Sequence, residues 1–441
     1  MRTASALLLI SLIFGGTGSA AETLSCEALT CSDKPEVASQ AVQELRARGP
    51  EGLDVLFNKY ELEVAELRAR TASDAPLSSR AEKIRRVLDQ VAQQKDAYSA
   101  GLYWYTDLGE ARKAAEKADK PLLVLRMLGK LTDDCSCANS RFFRTALYAN
   151  QKVSSYLKEH FILAWTSERP VPLITIDFGD GRKIERTITG NSVHYVLDSN
   201  GRVLDALPGL YGPGTFFNAL QHIEALAKQT HAAPQNAELY IQSYHRSALT
   251  ELSTQWAKAI KEIENAKAAQ AAESGDKFPV AAKAAPLAET KCAVEMPMVR
   301  VLQGLNKLDA QTDEATWQEL AKRYTADSKL DQDSFRLMRA KYPLAAQASQ
   351  QSETKKKQET PLLKVLRNFQ SSIALDTVKN EYRLHRQLHE WLLKPEARQS
   401  VYELNTRVYA ELFLTPKEDP WLGLVPQDTY TALENEGLAG K

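Results

Sequence analysis

Two thiols one residue apart, Cys135 and Cys137, carry the strongest chemical signal in the chain. They follow the apolar run Leu122-Leu123-Val124-Leu125 and precede a helical pattern carrying Phe142 and Phe143. At such a junction the unpaired N–H groups and positive dipole end of a helix stabilise a thiolate, the form that attacks a disulfide. Three chemistries are open to the pair. It can cycle as a disulfide, one thiolate attacking a client bridge and the other resolving the mixed disulfide. A ring closed over one residue is strained, which raises its reduction potential and favours oxidation or isomerisation of clients. Alternatively, the two soft thiolates hold Cu(I), with His194 as a third ligand. In the third case the pair is structural and the domain is a non-catalytic interaction scaffold. Arg141 and Arg144 favour a thiolate, whereas Asp133 and Asp134 oppose it.

The N-terminus sets the compartment. Arg2, the apolar stretch 6–14 and the small residues of 15–21 read as a signal peptide over 1–21, which implies an exported, periplasmic or secreted protein. No later stretch approaches ~18 uninterrupted apolar residues, so no stable membrane span is expected. In an oxidising compartment the remaining cysteines count as candidate bridges. Cys26 and Cys31 are close enough to staple the start of the first helix as a structural disulfide. Cys292, with Met296 and Met298 nearby, reads as a buried thiol, an intermolecular bridge or a soft-metal ligand, the first being the commonest use of such residues.

Other constellations are weaker. His385 and His389 stand four apart with Glu390 beside them, a spacing that presents two imidazoles on one helix face to a zinc ion. The order His-x-x-x-His-Glu is not the metalloprotease motif, and Leu384, Leu388 and Trp391 already give the helix a packing face, so these histidines are expected to be core residues. No nucleotide-binding glycine loop, haem-attachment motif or serine elbow occurs. Lys plus Arg and Asp plus Glu both number 56, so no global field draws the chain to nucleic acid or anionic lipid. Lys355-Lys356-Lys357 reads as a solvated loop.

The positioning elements follow from periodicity. Residues 22–98 have helical spacing, with Gly49 as a stop. Residues 99–230 alternate strands and helices: a strand at 121–127, the cysteines, a helix over 142–157 and a strand at 161–166. A hairpin turning at 179–182, a second turning at 198–201 and a helix over 212–227 complete the block. This order describes a thioredoxin-like α/β/α sandwich with one inserted β-hairpin, flanked by all-α N-terminal and C-terminal regions. Residues 231–290 read as a helical segment and linker, and 291–441 as a helical C-terminal domain whose end, from Leu414, caps it.

The stretch 103–170 resembles the thioredoxin-like domain of spermatogenesis-associated protein 20-type proteins. Trp104, Glu110-Ala111-Arg112-Lys113-Ala114, Lys120-Pro121, the cysteines and Glu168-Arg169-Pro170 carry the resemblance, over less than a fifth of the chain. It implies a thioredoxin-like fold with Cys135 and Cys137 as its redox pair and protein clients bearing thiols or disulfides. No cofactor is required on that reading; copper-handling members of the superfamily imply Cu(I) on the alternative. The family pattern is Cys-x-x-Cys, shortened here. Relatives also place a cis-proline ahead of the strand that here begins near Val193, where Asn191-Ser192 stands instead. A cis bond there costs ~3 kcal/mol without proline, so a client groove formed by Asn191, Ser192 and His194 should differ from the usual one.

Overall fold

β1 (Leu122–Met127), β5 (Ser192–Leu197) and β6 (Val203–Pro208) are buried along their whole length. Near-continuous apolar strands of this kind require cover on both faces, and helices supply it. In a computed structural model the described residues are 30–70, 77–187, 190–273, 312, 314–341, 361–394 and 400–421. The 1–21 segment, Cys26, Cys292, Met296, Met298 and Lys355–Lys357 lie outside them.

The chain opens with α1 (Pro35–Ala47), α2 (Pro50–Lys59), α3 (Glu61–Ala69) and α4 (Ser79–Ala92), followed by α5 (Leu108–Ala118). After β1 come α6 (Ala138–Phe142), a π-helical turn (Phe143–Leu147) and α7 (Gln151–His160). β2 (Ile162–Ser167), β3 (Leu173–Asp177) and β4 (Lys183–Thr187) lead to β5 and β6. The rest is helical: α8 (Pro213–Ala232), α9 (Ala237–Glu273), α10 (Glu314–Ala321), α11 (Gln332–Lys341), α12 (Pro361–Lys379), α13 (Arg386–Leu392) and α14 (Val401–Arg407).

The protein is thus an α/β unit with helices on both sides in sequence. Its four-stranded sheet runs β2-β1-β5-β6, with β2 parallel to β1, β5 antiparallel to β1 and β6 antiparallel to β5. β3 and β4 pair only with each other, as the inserted hairpin expected from the Asp180-Gly181 turn. Leu173, Ile176 and Phe178 of this arm are exposed.

Two elements depart from the sequence expectation. The single helix read over 142–157 breaks, because Asn150 accepts the Val153 N–H at 3.1 Å and caps a new helix, α7. The segment read as helix and linker over 231–290 begins as α9, which buries Ala237, Ile241, Leu252, Ala259 and Ile263. Ile241 shares one apolar core with the sheet, together with Leu388 and Trp391 of α13 and Leu404 of α14. α13 and the helical turn before it, Asn380–His385, therefore pack on β6.

A smaller core joins α1 to α4. At its margin Asp89 is buried in α4, its Oδ1 accepting the Ala97 N–H at 2.9 Å. Burial raises its carboxyl to about 7, and the charge of Asp96 adds to the rise against the lowering effect of the Ala97 N–H. A carboxyl raised in the folded state contributes stability that is fully present below its ordinary value near 4 and is lost as pH rises through about 7. Asp89→Asn keeps the acceptor and removes the ionisation. Urea midpoints measured at about pH 5 and about pH 8 should therefore fall less between the two conditions in the variant than in the parent.

Candidate functional site

The thiol loop starts where β1 ends. Gly129 takes φ of 73°, and a Cβ there would come within 3.3 Å of Ser136 Cα and Val171 Cγ1, so glycine lets the loop fold tightly back. Its N–H donates to the Arg169 carbonyl at 2.8 Å, and the Cys137 N–H donates to the Leu128 carbonyl at 3.3 Å. Cys135 is exposed and Cys137 is fully buried, both as free thiols.

Cys137 is the N-cap of α6, where its Sγ accepts the Ser140 N–H at 3.4 Å. Burial pushes its thiol up, opposed by the Ser140 and Leu128 hydrogen bonds and the Arg141 charge. Arg144 is buried rather than solvated: one guanidinium nitrogen donates to Ser136 Oγ at 3.2 Å, while Nε and the other terminal nitrogen make no hydrogen bond. Asp134 pairs with Lys95 at 3.2 Å.

The expected groove residues are beside this loop but not open to it. Ser192 is buried and accepts the Asn139 side-chain amide at 3.0 Å. Asn191 donates its amide to Thr415 Oγ1 at 3.0 Å, and its carbonyl accepts the Tyr409 hydroxyl at 3.3 Å. Arg169 holds the same C-terminal segment by donating to the carbonyls of Asp419 at 2.7 Å and Thr415 at 3.2 Å. Residues 415–419 therefore lie along the thiol side of the sheet. His194 is a core residue, with Nε2 2.7 Å from the Tyr148 hydroxyl and its ring packed against Phe143 and Phe216. Burial lowers its pKa to about 3. Among the described residues, Cys135, Cys137 and His194 do not form a group with ligand atoms at metal-sharing distance. Cys31 Sγ accepts the Tyr60 hydroxyl at 3.5 Å, and its expected bridge partner, Cys26, lies outside the described residues.

A second constellation lies at the β6 edge. Asp205 is fully buried, with Oδ1 accepting its neighbour's Ala206 N–H at 2.8 Å and Oδ2 the Tyr244 hydroxyl at 2.7 Å. His385 Nε2 is 3.2 Å from both carboxylate oxygens, and its Nδ1 is 3.2 Å from Glu381. His389, one turn further along, stacks on His385 with ring centroids 4.0 Å apart. Its Nδ1 is 2.8 Å from His245 Nδ1 and 3.8 Å from Asp205 Oδ1. Glu390, the residue flagged beside these histidines, pairs instead with Arg386 and Gln387.

The electrostatics follow from who faces whom. Burial would raise Asp205, but His385 and His389 more than reverse it and hold the carboxyl far below its usual range. Burial would lower His385, but Asp205 and Glu381 push it up to about 10. Burial lowers His245 and His389, and the His385 charge lowers both further. One cationic imidazole thus sits between two carboxylates, and two neutral ones lie beside it.

Of this cluster only His385 and His389 are visible as a motif. Asp205 had one local signal, a lone charge inside Val203-Leu204-Asp205-Ala206-Leu207. His245 had none beyond its place on the face that carries Ile241. Comparisons of the chain with protein families, curated proteins and solved structures find no match.

Proposed function

We propose that the chain is an exported thioredoxin-like protein that exchanges disulfides with protein clients, with Cys135 as the attacking thiol and Cys137 as the resolving one. The observation that carries this reading is the pairing of an exposed Cys135 with a wholly buried Cys137 at the end of the central strand. Support also comes from the sheet, whose central strand has a parallel neighbour on one side and two antiparallel strands on the other. A mixed sheet of this kind is compatible with that reading. The apolar segment 6–14 argues for export to a compartment where client disulfides persist.

In the reducing direction, deprotonated Cys135 attacks one sulfur of a client bridge. A Cys135–client bond forms, the client S–S bond breaks, and the departing client thiolate takes up a proton. Cys137 then gives up its proton and attacks Cys135 Sγ. The Cys135–Cys137 bond forms as the second client thiolate leaves, so the client gains two electrons and the pair loses two. The reverse sequence oxidises a client.

One observation favours the scaffold reading instead: Tyr409 and Thr415 already occupy Asn191, where a client backbone would dock. A redox titration of the full chain, with alkylation and peptide mass mapping of Cys135 and Cys137, separates the two. A pair that opens and closes reversibly in the folded chain is the expected result. A pair that titrates only after unfolding makes the domain a binding scaffold.

A further inference from the structure

We propose that Asp205, His245 and His389 form a binding site for a divalent transition-metal ion of the zinc class. One ligand atom from each of the three lies within 4.8 Å of the others, the sole such group among the described residues. A tetrahedral ion with bonds of ~2.0–2.1 Å holds its donor atoms about 3.3 Å apart. The Nδ1 atoms of His245 and His389 are 2.8 Å apart and His389 Nδ1 is 3.8 Å from Asp205 Oδ1, so the observed separations bracket that value. Two imidazole nitrogens and one carboxylate oxygen suit Zn(II), Co(II) or Fe(II), and neither a soft Cu(I) site nor an oxygen-rich calcium site.

The surroundings fit the same purpose. The Tyr244 hydroxyl donates to Asp205, and His385 bridges Asp205 to Glu381, which fixes the direction of the carboxylate. Oriented ligands of this kind are the usual outer support of a metal site. The three ligands come from β6, α9 and α13, elements that apolar side chains of equal volume would join without the cost of burying a carboxylate and imidazoles. A cavity of about 820 Å³ lined by Tyr244, Glu381, His385 and His389 reaches the cluster and supplies an entry path. Three protein ligands leave a fourth position for a solvent oxygen. Of the two neutral imidazoles, the one that holds its proton on Nδ1 shifts it to its own Nε2 as the ion binds, which frees both Nδ1 lone pairs.

This site is independent of the thiol reading, and the test keeps the two apart. The full chain is stripped with a chelator and titrated with Co(II). The expected result is one ion per chain, with visible d–d absorption and no thiolate-to-cobalt charge-transfer band. His245→Gln and His389→Gln should each lower affinity by at least the ~100-fold seen when outer-shell support is lost, with His231→Gln, an exposed histidine outside the cluster, unchanged. A charge-transfer band, or equal binding by parent and His389→Gln, overturns the proposal. Should the cluster variants fail to fold, zinc-edge X-ray absorption of the parent decides. A nitrogen and oxygen shell with two imidazoles supports the site. A sulfur shell, or no zinc retained, refutes it.

Discussion

Cys135→Ser should lower disulfide exchange by at least ~10³-fold, the scale on which loss of a covalent nucleophile acts, while Cys137→Ser should stop the cycle one step later and accumulate mixed disulfides. The two variants differ because the two sulfurs differ in position. Cys135 reaches solvent and is the sulfur a client can meet; Cys137 is buried and out of a client's reach. Serine at 137 should leave the fold intact, since Ser is among the preferred N-caps and its oxygen can accept the Ser140 N–H that the sulfur now accepts. Non-reducing electrophoresis after exposure to an oxidised client provides the readout. Client adducts on Cys137→Ser and none on Cys135→Ser are expected. Adducts on both, or parental exchange by either variant, would show that these sulfurs do not carry the reaction.

Asp205→Ala should be the most damaging single change to stability, costing about 3–5 kcal/mol in the metal-free chain, because it strands a buried cation. His385 is pushed up to about 10 and keeps only Glu381 as an anionic partner once Asp205 is gone, while Tyr244 loses its acceptor. Pairing Asp205→Asn with His385→Gln removes both charges at nearly constant volume and should recover most of the loss. Urea unfolding in chelator gives the comparison. If Asp205→Ala alone costs less than about 1 kcal/mol, the carboxylate does not hold β6 to α13 as described.

Local signals made the centre of the molecule readable. An uninterrupted apolar run set β1, and Asp180-Gly181 and Asn200-Gly201 set the two hairpins, with Gly181 at φ of 91° and Gly201 at 83°. The positions of Cys135 and Cys137 followed from those elements. The histidine cluster did not, because packing brings His245 to His389 across 144 residues and Asp205 to His385 across 180, and no periodicity reports that. His385 and His389 looked like core residues, and they are buried; their acidic partner sits on β6, in a block read as separate from the C-terminal helices. The hold of Arg169 on residues 415–419 was illegible for the same reason, since 246 to 250 residues separate the partners.

That grip by Arg169 also sets an order of events during synthesis. At about 5–20 residues per second, about 12–50 s separate the emergence of Arg169 from that of the carbonyls it holds. The sheet and its thiol loop are complete for most of that interval, and closing so long a loop adds little entropy beyond a shorter one. A nascent chain therefore shows the Asn191 edge uncovered until Tyr409 and Thr415, which hide it, have emerged.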